Sequence, residues 1–225
     1  MDTHALFTAL QLGDSFFPSG MFTQSHGLER FIERGARGAS QLGPLLASYL
    51  LAAGQTEGLA ARLTCRAARA ADLDAIAAID ARLEATKLAS EPRAASKRCG
   101  GRILLLGADV FGGEVLRTYA ARTAERRVPG HQTVALALCA AACGLDEDAA
   151  VAVELHGLAT SIVSAAIRLG ALDHIAGQRL LLGARAAIAE AARAGGVVAD
   201  IGFAAPEIEL MQLQHPGGQS HLFVS

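Results

Sequence analysis

Residues 146–170 read DEDAAVAVELHGLATSIVSAAIRLG, and this stretch decides the class of the fold. Large apolar residues recur along it every three or four positions, which is the period of one face of an α-helix. Asp146 stands where a helix N-cap is expected, and Gly170 follows the last apolar position, where helices commonly end. The stretch therefore predicts one long helix with a buried face.

The same helical period recurs along most of the chain. Asp72, Asp173 and Ser40 are further predicted N-caps, because each precedes an apolar run with that period. Glycine or proline stands at most of the breaks, and Gly54 is one such predicted break. The sequence thus predicts an all-α, single-domain bundle of about ten helices.

Helical periodicity disappears after Gly196, where glycine and proline become frequent. We therefore expect a helical domain over residues 1–196 and an extended C-terminal tail over residues 197–225. The tail carries more apolar side chains than a solvated segment needs, so it either docks on a partner or packs back on its own domain. Those side chains are Ile208, Leu210, Met211, Leu213, Leu222 and Phe223.

The composition excludes several classes of partner. The 225 residues are 52% hydrophobic and only 4% aromatic, which favours closely packed helices built from Ala, Leu, Ile and Val. A formal net charge of −2 argues against binding to nucleic acid or to an anionic membrane. The start of the chain lacks a secretory signal, and the apolar stretch over residues 134–145 is shorter than the roughly 20 residues that span a bilayer. A cytoplasmic location is expected.

No motif in the sequence predicts catalysis. A phosphate-binding loop ending in Gly-Lys-Ser or Gly-Lys-Thr is absent, and residues 17–20 (FPSG) lack the strand-to-helix turn of a serine nucleophile. Clustered carboxylates, such as those of residues 146–148, stand at predicted helix starts, where they favour the positive end of the helix dipole. We therefore predict no catalytic residue.

The sequence gives little support for metal binding or anion binding. Cys139 and Cys143 could present two sulfurs on one helix, but their Leu, Ala and Val surroundings favour buried small hydrophobes. The histidines show no ligand spacing, so we predict neither a metal nor a cofactor. The basic segment over residues 93–102 is interpreted as a solvated helix face, with a patch for phosphate or acidic protein as the alternative.

Five separated stretches of the chain, taken in order, are similar to the sequence motifs of one protein family. Residues 17–29 (FPSGMFTQSHGLE), which follow a leucine-rich start, are similar to the family's Pro-x-Gly loop and Ser-x-Gly-Leu-Glu helix. Residues 91–96 (EPRAAS) are similar to its Glu-x-Arg-x-x-Ser helix, and residues 130–131 (GH) and 163–169 (VSAAIRL) match two further signatures. The end of the chain, residues 220–225 (SHLFVS), resembles the family's closing Ser-Arg-Leu-Phe-x-Ser. The family that these five stretches resemble is the UreF family of urease accessory proteins.

The resemblance implies an assembly factor rather than an enzyme. Such a protein dimerises, binds the accessory protein UreD (also called UreH) and recruits the GTPase UreG, and the complex delivers nickel to apo-urease. On this scheme the chain itself need neither hold nickel tightly nor hydrolyse GTP.

The resemblance also implies which residues bind partners. One departs from the family pattern, since His221 stands where the family has arginine, and histidine lacks the permanent, forked charge of a guanidinium. The implied partner-binding residues are Phe17, Pro18, Gly20, Gln24, Ser25, His26, Gly27, Glu29, Arg93, Arg168, His215, Ser220, His221, Leu222, Phe223 and Ser225.

Two other functions stay open at this point. The protein could regulate GTP hydrolysis by UreG through an arginine, Arg93 or Arg168, that acts on the nucleotide site. For each arginine, a bridge to backbone carbonyls at a helix end is the favoured role. The other function is that of a helical ligand-binding or enzymatic domain unrelated to urease.

Overall fold

The computed structural model describes residues 3–20, 22, 24–193, 195–202 and 205–214. Across these residues the chain forms helices and no strand, so the predicted all-α fold class is confirmed. The α-helices are α1 (Thr3–Gly13), α2 (Leu28–Glu33), α3 (Gly38–Ala53), α4 (Leu59–Arg69), α5 (Leu73–Thr86), α6 (Ser90–Val110), α7 (Glu114–Ala124), α8 (Gln132–Ala142), α9 (Glu147–Arg168), α10 (His174–Ala191) and α11 (Pro206–Gln214).

Helix α9 lies at the centre and contributes to two hydrophobic clusters. Its residues Leu155 and Ile162 pack in the first cluster, with α2, α3, α10 and α11. Its residues Ala150 and Val153 pack in the second cluster, with α1 and α4 to α8. The long helix predicted from residues 146–170 is therefore the element that joins the two halves of the core.

Three of the four predicted N-caps are confirmed. The carboxylates of Asp72, Asp146 and Asp173 each accept a hydrogen bond from the backbone N–H three residues later, at 2.9, 2.7 and 2.8 Å. The prediction for Ser40 was wrong, because α3 already begins at Gly38. The N–H of Gly38 donates to the Ala171 carbonyl at 2.9 Å, which holds the chain in place two residues before the expected cap.

The predicted break at Gly54 is also absent. Residues Gly54–Gly58 form a π-helical turn that connects α3 directly to α4. A Cβ atom at Gly54 would lie 3.0 Å from the Ala191 Cβ, and one at Gly58 would lie 3.3 Å from a Val151 methyl carbon. These glycines permit close packing of neighbouring helices rather than ending one.

The beginning of the predicted tail is folded. Residues Val198–Asp200 form a 3₁₀ turn, and α11 packs against α2 and α6. Ile208 is 2% exposed and Met211 is 1% exposed, so both side chains pack back on the parent domain. The apolar residues Ile208, Leu210, Met211 and Leu213 lie within a nine-residue helix, which is too short a stretch to reveal a helical period.

Helix α9 is long and apolar enough to cross a membrane by length and composition alone. However, 67% of its most apolar 18-residue window is buried inside the fold. The core helix of a globular domain has the same composition, so α9 is only weak evidence for a membrane span.

A buried carboxylate fixes the turn that precedes α8. Asp80 accepts hydrogen bonds from the Tyr119 hydroxyl at 2.7 Å, the Gly130 N–H at 2.7 Å and the His131 N–H at 3.0 Å. The turn thereby lies directly against α6, where a Cβ atom at Gly100 would come within 2.0 Å of the Gly130 carbonyl oxygen. Gly100 therefore permits the close packing of α6 against this turn.

Two adjacent glycines in α6 provide a matched test of this packing. Gly100→Ala should lower the free energy of unfolding by about 2 kcal/mol or more, because the added methyl group overlaps the Gly130 backbone. Gly101→Ala meets no atom within 4 Å and should raise stability by up to about 1 kcal/mol through its higher helix propensity. Urea denaturation of both variants checks the prediction, and equal stabilities would contradict it.

Candidate functional site

The residues that resemble the UreF loop connect α1 to α2. Phe17 is buried, and its ring stacks on Phe111 with the centroids 6.4 Å apart and the planes 20° apart. Phe16 is 91% exposed, and Pro18 is also exposed. Phe17 therefore anchors the loop, while its two neighbours face solvent.

The middle of the loop is held inside the protein. Gln24 is buried, and its side-chain amide donates a hydrogen bond to the Cys99 sulfur at 3.2 Å. The backbone carbonyl of Gln24 accepts a hydrogen bond from the Ser161 hydroxyl at 3.0 Å. Ser25 and Glu29 are buried as well. In this conformation these side chains fix the loop to α6 and α9 or lie in the interior, and they do not face solvent.

His26 and Gly27 form a sharp bend at the end of the loop. Both have left-handed backbone angles, with φ of 54° and 83°. The His26 carbonyl accepts the Tyr49 hydroxyl at 2.7 Å and the Gln212 side-chain amide at 3.4 Å. A Cβ atom at Gly27 would lie 3.2 Å from the Gln212 backbone nitrogen, so this glycine lets α11 approach closely.

Both arginines of the candidate set contact backbone carbonyls. Arg93 donates to the Lys87 carbonyl at 2.9 Å, just after the end of α5. Arg168 donates to the Phe22 carbonyl at 2.7 Å and to the Ser164 carbonyl of its own helix at 3.4 Å. The interpretation of both residues as bridges to carbonyls is confirmed, and Arg168 also ties the N-terminal loop to α9.

A polar cavity of about 90 Å³ lies beneath this loop. It is bounded by the loop, α3, the π-helical turn, α6, α8, α9 and α11, and its apolar lining residues Tyr49, Ala53 and Leu155 belong to the first hydrophobic cluster. Its polar lining includes Gln24, His26, Tyr49, Thr56, Glu57, Lys87, Ser96, Gln132, Thr133, Glu154, Ser161, Glu209 and Gln212.

Two glutamates in this cavity have opposite electrostatic environments. Burial alone would raise the pKa of the Glu57 carboxyl, but the Lys87 ammonium that donates to it holds the pKa below its usual value. Glu154 is 4% exposed, and burial raises its pKa to about 7, although the Thr133 hydroxyl donates to it at 2.7 Å. Burial and the Lys87 charge lower the pKa of His26 to about 4, so its imidazole is neutral at pH 7.

A second polar array borders the cavity at Ser96. The His131 imidazole contacts the Ser96 hydroxyl at 3.1 Å and the Glu84 carboxylate at 2.8 Å, and Lys97 donates to the other Glu84 oxygen at 2.9 Å. A serine, a histidine and a carboxylate are also the parts of a hydrolase triad. Here the Ser96 hydroxyl also accepts the Gln132 N–H at 3.3 Å, so the array satisfies buried polar groups at the start of α8.

The structure brings only part of the predicted set together. Gln24 and His26 of the N-terminal loop line the cavity beside the middle of α9, and Arg168 contacts the same loop from the C-terminal end of that helix. Arg93, at the start of α6, contacts the carbonyl of the lining residue Lys87. The residues His215, Ser220, His221, Leu222, Phe223 and Ser225 lie outside the described residues.

Sequence reasoning missed the cavity residues Glu57, Lys87, Thr133 and Glu154. One signal could have identified Glu154, which stands between Val151, Leu155 and other inward positions of a strongly apolar helix. An acid on a buried face needs either a partner or a function. Glu57 and Lys87 gave no such signal, because they are far apart in sequence and pair only through the fold.

The expectation for the cysteines agrees with the structure. Cys139 is fully buried, and burial raises the pKa of its thiol to about 12, so it packs as a small hydrophobe. Cys143 is partly buried. Within the ranges that the structure describes, no group of three or more His, Cys, Asp or Glu side chains is arranged to hold a metal ion.

The fold and this region define an all-α protein whose N-terminal loop is locked onto a polar cavity beside its central helix. The UreF family model matches residues 36–185. The chain is 34% identical to the urease accessory protein UreF of Arthrobacter sp. (strain FB24), over 96% of this chain and 95% of that protein. It is 32% identical to UreF of Paenarthrobacter aurescens and 31% identical to UreF of Trichodesmium erythraeum, each over 96% of this chain and 96% and 95% of those proteins. The chain belongs to the UreF family of urease accessory proteins.

The contacts of Arg168 predict a structural effect of its removal. Arg168→Ala should lower the melting temperature by about 2–4 °C, because hydrogen bonds that join the N-terminal loop to α9 are lost. Arg179→Ala, which removes an exposed arginine from α10, is the matched control and should melt like the parent. Differential scanning calorimetry is the measurement. An Arg168 variant that melts normally but no longer affects a GTPase would favour the regulatory function instead.

The raised pKa of Glu154 predicts a pH-dependent stability. Glu154 is protonated in the folded protein below about pH 7 but ionises near its ordinary pKa when unfolded, so its favourable contribution is lost as the pH rises from about 4.5 to 7. Glu154→Gln keeps an acceptor for Thr133 and carries no charge. The variant should therefore gain stability relative to the parent between pH 5 and pH 8, measured by urea denaturation. A difference that does not change with pH would contradict the prediction, and Glu190→Gln on the exposed face of α10 is the control.

Proposed function

We propose that this protein bridges a UreD- or UreH-type partner and the GTPase UreG in a complex that inserts nickel into apo-urease. The observation that carries the proposal is its similarity, over 96% of the chain, to proteins named urease accessory protein UreF. The proposal includes a cytoplasmic location, a homodimer and no catalytic activity of the chain itself. The proposed function is an assembly function, in which the protein acts by binding other proteins.

The exposed surface around the N-terminal loop supports a binding role. Helix α1 buries only Leu12 completely, while Phe7 and Leu10 on the same helix are 66% and 59% exposed. Phe16 adds a third large apolar side chain just after the helix. Aromatic side chains are enriched at protein interfaces, and a partner that covers this surface would remove it from water.

The alternative of a regulator of UreG hydrolysis receives less support. An arginine that acts on a nucleotide must extend from the surface toward the phosphates. Arg93 and Arg168 both have guanidinium groups engaged by backbone carbonyls, so each would have to leave its partners first. The third function, a domain unrelated to urease, conflicts with membership of the family.

Co-expression with the UreD-type and UreG partners, followed by size-exclusion chromatography, tests the proposal. We expect one complex that contains all three proteins, and a free protein that elutes as a dimer. Partners that bind one another without this chain would contradict the bridging role.

Removal of residues 220–225 tests which segment binds the UreD-type partner. Leu222 and Phe223 would each contribute on the order of 2–3 kcal/mol when fully buried against a partner. The truncated protein should keep its helical content and melting temperature but lose co-elution with the UreD-type partner. A version with residues 220–225 in scrambled order keeps the length and composition and should also fail to bind. Normal co-elution of the truncated protein would contradict this assignment.

A further inference from the structure

The polar cavity contains two buried carboxylate oxygens without a hydrogen-bond partner. Lys87 donates to Oε1 of Glu57, and Thr133 donates to Oε1 of Glu154, while Oε2 of each glutamate is unpartnered and inaccessible. Both glutamates line the same cavity. A buried acceptor without a partner costs free energy, so the cavity is arranged for a ligand that donates hydrogen bonds.

The charges around the cavity favour a cationic donor. Among the described lining residues, Glu57, Glu154 and Glu209 carry carboxyl groups, and Lys87 carries an ammonium group. His26 adds no charge at pH 7. When Glu154 is ionised, negative charge exceeds positive charge in a place where solvent screens little.

The chemistry of the lining favours a small ammonium group over a bare metal ion. The described residues provide no set of three His, Cys, Asp or Glu side chains for a metal. The cavity already accommodates one ammonium, that of Lys87, on Oε1 of Glu57. The hydroxyl oxygens of Thr133 and Ser161 are further possible acceptors in the lining.

We propose that this cavity binds ammonium or a small primary-ammonium cation beside the carboxyl groups of Glu57 and Glu154. The ligand donates hydrogen bonds to these carboxyl groups, and its charge offsets theirs. Because the lining comes from the loop, α3, α6, α8, α9 and α11, a bound cation stabilises the packing of these elements around the cavity. This site is separate from the partner-binding function proposed above.

Binding is coupled to the ionisation of Glu154. The groups that face it are Thr133 on α8, Glu57 in the π-helical turn and Lys87 after α5, with His26 and Glu209 elsewhere in the lining. Burial keeps Glu154 protonated below about pH 7, whereas a cation favours its ionised form. Binding therefore strengthens as the pH rises from 6 to 8, over which ammonium itself stays charged.

Thermal melting of the full chain in different chloride salts tests the proposal. The probes are ammonium, methylammonium, potassium and tetramethylammonium chloride at equal ionic strength, with the last two as cations that donate no hydrogen bonds. At pH 8, ammonium and methylammonium should raise the melting temperature by about 3 °C over potassium, the shift expected at roughly ten times the Kd. Equal melting temperatures in all four salts would show that the cavity holds water only and would overturn the proposal.

Two further measurements identify the site. Glu154→Gln should abolish the difference between ammonium and potassium, while Glu190→Gln should retain it. In the parent protein, the same difference should shrink by at least half at pH 6, a result that does not depend on any variant folding correctly. An ammonium effect that persists in folded Glu154→Gln, or one that is equal at pH 6 and pH 8, would overturn the assignment.

Discussion

The Asp80 carboxylate is the polar interaction on which the second half of the core depends. It lies fully buried and accepts hydrogen bonds from one side chain and two consecutive backbone N–H groups. Those bonds place the turn before α8 where only a glycine on α6, Gly100, leaves room for the Gly130 carbonyl. Helices α5, α6, α7 and α8 are thereby held around one buried carboxyl group. Loss of a single acceptor there would leave several buried donors unpaired, which costs more than the bonds themselves contribute.

The two buried glutamates of the cavity have fewer hydrogen-bond donors than Asp80. Asp80 has donors on both of its oxygens, whereas Glu57 and Glu154 each have a donor on one oxygen only. A protein that merely needed these positions filled could use apolar residues at lower cost, because replacing buried charges by well-packed hydrophobic groups is often stabilising. The unpartnered oxygens of Glu57 and Glu154 therefore distinguish the cavity from the hydrogen-bonded network around Asp80.

The sequence predicted the features that depend on local rules. The period of α9 and the caps Asp72, Asp146 and Asp173 follow from residues a few positions apart, and each was confirmed. Helix α11 and the π-helical turn were missed because tertiary packing decides them: Ile208 and Met211 are helical where they meet α2, and the glycines of Gly54–Gly58 fit against α9 and α10. The cavity required the same non-local information, since its charged groups come from separate helices and turns.

The burial of the family-like loop residues changes how that motif contributes to binding. Gln24, Ser25 and Glu29 lie inside the protein, so in this conformation they act by fixing the course of the loop. Among the described residues of the loop, Phe16 and Pro18 are exposed to solvent and follow the exposed face of α1. A loop held by buried hydrogen bonds loses less conformational entropy when a partner binds, because its order is already established in the free protein. Under the proposed assembly function, the buried residues of the motif hold in place the exposed surface that a partner contacts.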